Sequence, residues 1–191
     1  MRPQFCCLQS HLTFAQQLWA QIVTKGDTVV DATAGNGYDA EFLAQLALSD
    51  SSGHLFCFDI QPEAIDICKK RLALYQAQIT YISACHSTLK QVLKGIRPKL
   101  IVYNLGYLPG GDKTRTTTKS TTLESLNQAL DCLDTGGAIS VMLYPGHEMG
   151  KVEAEAVLAL CSQLDPMLWN VTHIDWINRR AHPQLLLIQK A

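Results

Sequence analysis

Two glycines and a scatter of polar side chains carry the chemistry legible in this 191-residue chain. Asp31-Ala32-Thr33-Ala34-Gly35-Asn36-Gly37-Tyr38-Asp39 sets two residues without a Cβ where a backbone turns sharply and lets a ligand come close. Asp59 follows Gly37 by 22 residues, the offset at which a strand-end carboxylate accepts hydrogen bonds from both hydroxyls of a ribose. That ribose belongs either to NAD or to S-adenosylmethionine. Gly35-x-Gly37-x-x-Ala40 satisfies the dinucleotide fingerprint with Ala in third place, which keeps an NAD-dependent oxidoreductase in view. Asp31, ahead of the glycines, suits the ammonium of a methionine moiety, which NAD lacks. Further on, Asn104-Leu105-Gly106-Tyr107 offers an amide, main-chain carbonyls and an aromatic ring, and His147 is a candidate proton acceptor.

The elements that position these residues follow from periodicity. Leu12, Ala15, Trp19 and Ile22 form the apolar stripe of an amphipathic helix within residues 11–24. Residues 28–32 and 54–59 read as buried strands, each followed by a helix, the first from Tyr38 and the second opening on Pro62. The second carries Ile65, Cys68, Leu72 and Tyr75 inward. Strands at 79–83, 100–104 and 138–143 alternate with helices near 89–94, 123–133 and 151–164. Such alternation predicts an α/β fold: one Rossmann-like domain over 1–191 with a mostly parallel, seven-stranded sheet. Strands at 171–176 and 185–188 lie too close for a helix between them and are expected to pair antiparallel at one edge.

Composition narrows the class. Hydrophobic residues make up 47% and charged residues 17%, so the chain is packed and not disordered. The seven cysteines lack any C-x-x-C pair, so no metal is expected and reduced thiols in a cytoplasmic protein are. No apolar run approaches the roughly 18 residues of a membrane span, and residues 1–14 lack a secretory pattern. Residues 110–122 hold no apolar side chain, which predicts a loop that is mobile or ordered by a ligand.

The chain resembles a known family. Residues 31–39, the string Asn104-Leu-Gly-Tyr-Leu-Pro-Gly-Gly-Asp-Lys113, Tyr144-Pro-Gly-His147 with Gly150 and Glu153, and the tail 178–190 look like the small stand-alone class I methyltransferases labelled rRNA methylases. The Asn104 loop is similar to the (D/N)-P-P-Y loop of methyltransferases that act on nitrogen, in which the first side chain and a carbonyl accept from the amine and the aromatic ring stacks on the base. The resemblance implies S-adenosylmethionine as cofactor and conversion of 5-aminomethyl-2-thiouridine at the tRNA wobble position to its 5-methylaminomethyl form. It implies that Asn36, Gly37 and Asp39 line the methionine end, with Gly35 also at the cofactor, that Asp59 and Gln61 hold ribose and adenine, and that His86 lies near the adenine. Asn104, Leu105, Gly106 and Tyr107 would then meet the substrate. An rRNA base nitrogen remains the other target such a loop allows.

Charge suggests where RNA binds. The net charge is −1, yet residues 86–122 hold seven cations against Asp112 alone, a net +6, and the remainder sums to −7. Lys113, Arg115 and Lys119 sit beside the reactive loop, with Asn178 and Arg179 expected to add from the tail, so phosphate contacts to RNA are expected there, and the resemblance implies that the RNA is an anticodon stem-loop. A homodimer is compatible with the sequence.

Overall fold

The computed structural model describes residues 10–106, 116–180 and 182–191. Strands β1 (Thr28–Asp31), β2 (His54–Asp59), β3 (Ile79–Ser83), β4 (Leu100–Asn104) and β5 (Ala138–Leu143) pair parallel, and β6 (Trp169–Ile174) and β7 (Gln184–Lys190) follow. The sheet order is β3-β2-β1-β4-β5-β7-β6. β7 inserts antiparallel beside β5, Val141 opposite Leu186, and β6 closes the edge antiparallel to β7. The expected C-terminal antiparallel edge is present, with β6 opening two residues earlier, at Trp169.

Alternate residues of each central strand face opposite layers, so the strands are buried on both sides. Val29, Leu55, Leu100 and Val102 pack under α1 (His11–Ile22), α2 (Tyr38–Ala47) and α3 (Pro62–Arg71), where Trp19 is 2% exposed. Val30, Phe56, Ile101 and Val141 pack under α4 (Leu89–Leu93), α5 (Lys119–Cys132) and α6 (Glu148–Cys161). Each Leu or Phe so buried contributes about 1.5–3 kcal/mol.

Helix starts depart from the sequence reading where a side chain caps from outside the apolar stripe. α5 opens at Lys119, four residues before the periodic apolar run, because Thr118 and Thr121 form a reciprocal capping box. α6 opens at Glu148 because His147 Nδ1 accepts from the Gly150 N–H at 3.1 Å, a cap histidine rarely supplies. α3 ends at Arg71, and a 3₁₀ segment, Ala73–Gln78, carries Tyr75. Among the described residues no helix is long and apolar enough to cross a membrane.

Candidate functional site

The strand order reverses between β1 and β4, and a cavity of about 760 Å³ opens there beyond the carboxyl ends of the strands. Each parallel strand contributes to it: 32–36 after β1, 59–61 after β2, 84–86 after β3, 104–106 after β4, and Tyr144, Gly146 and His147 after β5. Tyr38 and Asp39 of α2, residues 116–118 and Thr121, Leu12 of α1, and His182 and Pro183 of the β6–β7 connection complete the wall.

Gly37 makes the β1–α2 turn possible. It sits at φ +78°, and a Cβ there would meet the Cα and Sγ of Cys68 at 3.2 Å. Arg71 holds the turn from α3: its Nε donates to the Asn36 carbonyl at 2.8 Å, its Nη1 reaches Glu41 Oε2 at 3.2 Å, and its guanidinium lies 3.8 Å over the Tyr38 ring. Asp59 fixes the other side, accepting from the Gly35 N–H at 2.9 Å and the Gln61 N–H at 2.8 Å, one on each oxygen. A carboxylate has about four lone-pair sites, so two remain for a ligand's hydroxyls.

Asp31 and Gly37 lie behind this wall instead of on it. Asp31 is 1% exposed and accepts from the Thr33 N–H at 3.1 Å, so it reaches a ligand only through the loop it supports. Burial, then the neighbouring Asp39 carboxylate, hold its pKa well above the ordinary range. Gly35, Asn36, Asp39, Asp59, Gln61 and His86 do line the cavity.

Asn104 is held from three directions. Its backbone N–H donates to Thr33 Oγ1 at 2.7 Å, its Nδ2 donates to Asp39 Oδ2, and its Oδ1 accepts from the Tyr144 hydroxyl at 3.4 Å. Asp39 also accepts from Gln16 Nε2 at 3.2 Å, and burial raises its pKa against the pull of these two donors. A carboxylate only accepts, so the amide orientation is set: nitrogen to Asp39, carbonyl oxygen toward Tyr144.

Glu153 of α6 anchors the turn after β4. Its Oε2 accepts from Thr117 Oγ1 at 2.9 Å and its Oε1 from Thr122 Oγ1 at 2.6 Å, while Thr117 Oγ1 accepts from the Gly106 N–H at 2.8 Å. Burial raises the Glu153 pKa, partly offset by these two hydroxyls.

His86 is 5% exposed, burial lowers its pKa to about 4, and its Nδ1 has no partner among the described residues. It therefore presents a neutral ring at pH 7. His147 lines the cavity, but its Nδ1 already accepts the α6 cap bond. A neutral ring bonded this way carries its proton on Nε2, so accepting a substrate proton requires breaking the cap. That geometry argues against the proton-acceptor role expected of it.

The basic segment does not form one patch. Lys94, Arg97 and Lys99 precede β4 at its amino end, where the Lys99 N–H bonds the Thr28 carbonyl, opposite the cavity; Lys90 pairs with Asp131 at 2.9 Å. A charge count along the chain cannot register which end of a strand a residue occupies. Lys119 is exposed at the first turn of α5, and Asn178 and Arg179 are exposed on the β6–β7 connection, with Arg179 4.8 Å over the Trp176 ring. Tyr107, Lys113, Arg115 and the first six residues of the apolar-free loop, 110–115, lie outside the described residues. Thr33, Gln16 and Tyr144, which hold Asn104 and Asp39, carried no assigned role in the sequence reading. Only Tyr144 gave a signal, as an aromatic in the turn before His147.

A family model described as "Putative rRNA methylase" matches residues 55–190. The chain belongs to this family. It is also 35% identical over 185 residues, 92% of its length and 68% of the relative's, to the chloroplastic tRNA (mnm(5)s(2)U34)-methyltransferase of Arabidopsis thaliana. A Clostridium thermocellum structure described in the same terms as the family superposes with TM-score 0.91 at 36% identity, covering 96% of this chain and 99% of that one. A Streptococcus mutans relative, also assigned as a methyltransferase, was solved in complex with SAH, at TM-score 0.85 and 26% identity, over 96% and 99% of the two chains. The cofactor choice left open by the glycine turn thus falls to S-adenosylmethionine and away from NAD, and the chain is a class I methyltransferase. The cavity fits that molecule: Asp59 retains lone pairs for two hydroxyls, His86 offers a buried, unpartnered ring nitrogen, and the turn at 35–36 brings backbone to the wall.

Proposed function

We propose that this protein methylates RNA, and that its substrate is the amine of 5-aminomethyl-2-thiouridine at the wobble position of tRNA, giving the 5-methylaminomethyl form. The observation that carries the reading is the locked Asn104 amide, whose carbonyl oxygen is turned away from Asp39 at the cavity wall, ready to accept from an amine N–H. The Arabidopsis relative's activity supports the tRNA substrate.

S-adenosylmethionine supplies the methyl group, transferred to nitrogen as its bond to sulfur breaks. Asp59 and Gln61 hold the ribose and adenine, His86 lies against the adenine, and Gly35, Asn36 and Asp39 line the methionine end. Asn104 Oδ1 and the Leu105 carbonyl orient the amine. Tyr107 stacks on the base, and Lys113, Arg115, Lys119, Asn178 and Arg179 contact phosphates of the anticodon stem-loop.

The amine must arrive neutral. A free alkylamine titrates near 10.4, and transfer into an apolar enclosure disfavours its charged form. Leu12, Ala32 and Leu105 supply apolar wall here. Holding nucleophile and carbon in line is worth about 7–11 kcal/mol, so little further acid–base apparatus is required.

Mass spectrometry of tRNA nucleosides from a deletion strain tests the assignment. Loss of the methylaminomethyl nucleoside with build-up of its aminomethyl precursor is expected. Unchanged tRNA nucleosides, with a methyl missing from rRNA, would transfer the assignment to an rRNA nitrogen.

A further inference from the structure

Beside the cavity, three side chains of metal-ligating type converge, one from the start of α1 and two from the β6–β7 connection. His11 is the first residue of α1, Asp175 immediately follows β6, and His182 lies near the end of the β6–β7 connection. Each offers a ligand atom, and these atoms lie within 4.8 Å of one another. We propose that His11, Asp175 and His182 form a binding site for a divalent transition-metal ion of the zinc class, joining the start of α1 to the β6–β7 connection.

The donor set suits such an ion. Two imidazoles and one carboxylate match borderline metals such as zinc, with a fourth position left to water, whereas magnesium and calcium prefer oxygen. Independent of the clustering, His11 is 4% exposed and its Nε2 has no hydrogen-bond partner among the described residues, and Nδ1 of His182 is likewise buried and unpartnered. Buried ring nitrogens are ordinarily satisfied, and a bound ion satisfies one.

The surroundings orient the ligands. The His11 and His182 rings stack at 5.6 Å with 17° between planes, and the Trp176 ring meets His11 edge-on at 4.8 Å. Asp175 directs Oδ1 at His182 Nε2 and accepts from Gln184 Nε2 at 3.0 Å on Oδ2, the kind of outer partner that fixes a ligating carboxylate. Tetrahedral zinc with bonds of about 2.0–2.1 Å needs donors roughly 3.3 Å apart, so the cluster must contract on binding. Residues 175–180, outside helix and strand, permit that. Because His182 and Pro183 line the cavity, the ion would pin one of its walls. The proposal does not rest on the identity of the RNA substrate.

The test is titration of tag-free, EDTA-treated protein with Co²⁺, followed by Zn²⁺ competition. One Co²⁺ per chain is expected, with d–d absorption, no sulfur-to-cobalt charge-transfer band, and full displacement by Zn²⁺. His182→Asn and the surface change Asp175→Asn should each weaken binding beyond the roughly 10–100-fold typical of losing an outer partner. His54→Gln, remote on β2, should bind as wild type. Absence of stoichiometric binding by the wild-type chain overturns the site, leaving a hydrogen-bonded His182–Asp175 pair with His11 stacked on His182. So does affinity unchanged in both variants, or a thiolate band that places the ion on cysteine.

Discussion

Asn104 donates its side-chain N–H to Asp39, a contact between the end of β4 and the first turn of α2 that leaves the amide only one orientation. The carbonyl oxygen is thereby committed to the cavity, where the proposed amine substrate needs an acceptor.

Asn104→Ala should lower kcat roughly 10²-fold, the scale of losing one preorganised hydrogen-bonding group at a reacting centre. Affinity for S-adenosylmethionine should change by no more than a few-fold. Asp39→Asn should lower kcat less, since the amide persists but can rotate. Single-turnover methylation of tRNA bearing the aminomethyl group checks both, and wild-type kcat in Asn104→Ala would falsify the role.

Asp59→Ala removes the acceptor proposed for the ribose hydroxyls. A hydrogen bond to a charged group is worth about 1.5–3 kcal/mol, so cofactor Kd should rise roughly 10- to 150-fold. Calorimetric titration measures it; a Kd within two-fold of wild type removes Asp59 from the site.

Burial lowers the His86 pKa to about 4 from an unfolded value near 6.5. The unfolded chain binds the extra proton between those values, so this stabilising contribution is complete above pH 6.5 and is lost as pH falls toward 4. Between pH 7 and 5 the loss comes to about 2 kcal/mol. Urea unfolding at both pH values, compared with His86→Gln, isolates this contribution. Equal pH dependence in the two proteins counts against it.

Glu153→Ala strips an acceptor from Thr117 and Thr122 in a buried setting. Leaving buried donors unsatisfied costs about 1–3 kcal/mol each, so stability should drop by roughly 2–4 kcal/mol. Methylation should fall as well, because Thr117 holds Gly106 beside Asn104. Denaturant melts supply the first readout; an unchanged midpoint would show that the hydroxyls find other partners.

Much of this molecule was legible in local pattern. The strands at 54–59, 100–104 and 138–143 have the bounds read from hydrophobic runs, because a strand buried on both faces is written continuously along the chain. The glycine turn and Asp59 were legible for a similar reason: one crossover unit brings them together at a fixed offset. Helix starts at Lys119 and Glu148 were not, since a cap is one side chain outside the periodic stripe.

Sequence by itself determined the layered α/β fold, the glycine turn after β1 and the family, all of which rest on neighbours in the chain and on motifs that survive without coordinates. Only the tertiary structure decided which way the Asn104 amide points, since Asp39, itself held by Gln16 of α1, reaches it from α2. It alone committed His147 to capping α6 and set Lys94, Arg97 and Lys99 at the end of the sheet opposite the cavity. It alone gathered His11, Asp175 and His182. These contacts depend on the order in which strands pair, and that order is fixed by packing both faces of the sheet at once, a global condition that no window of residues expresses.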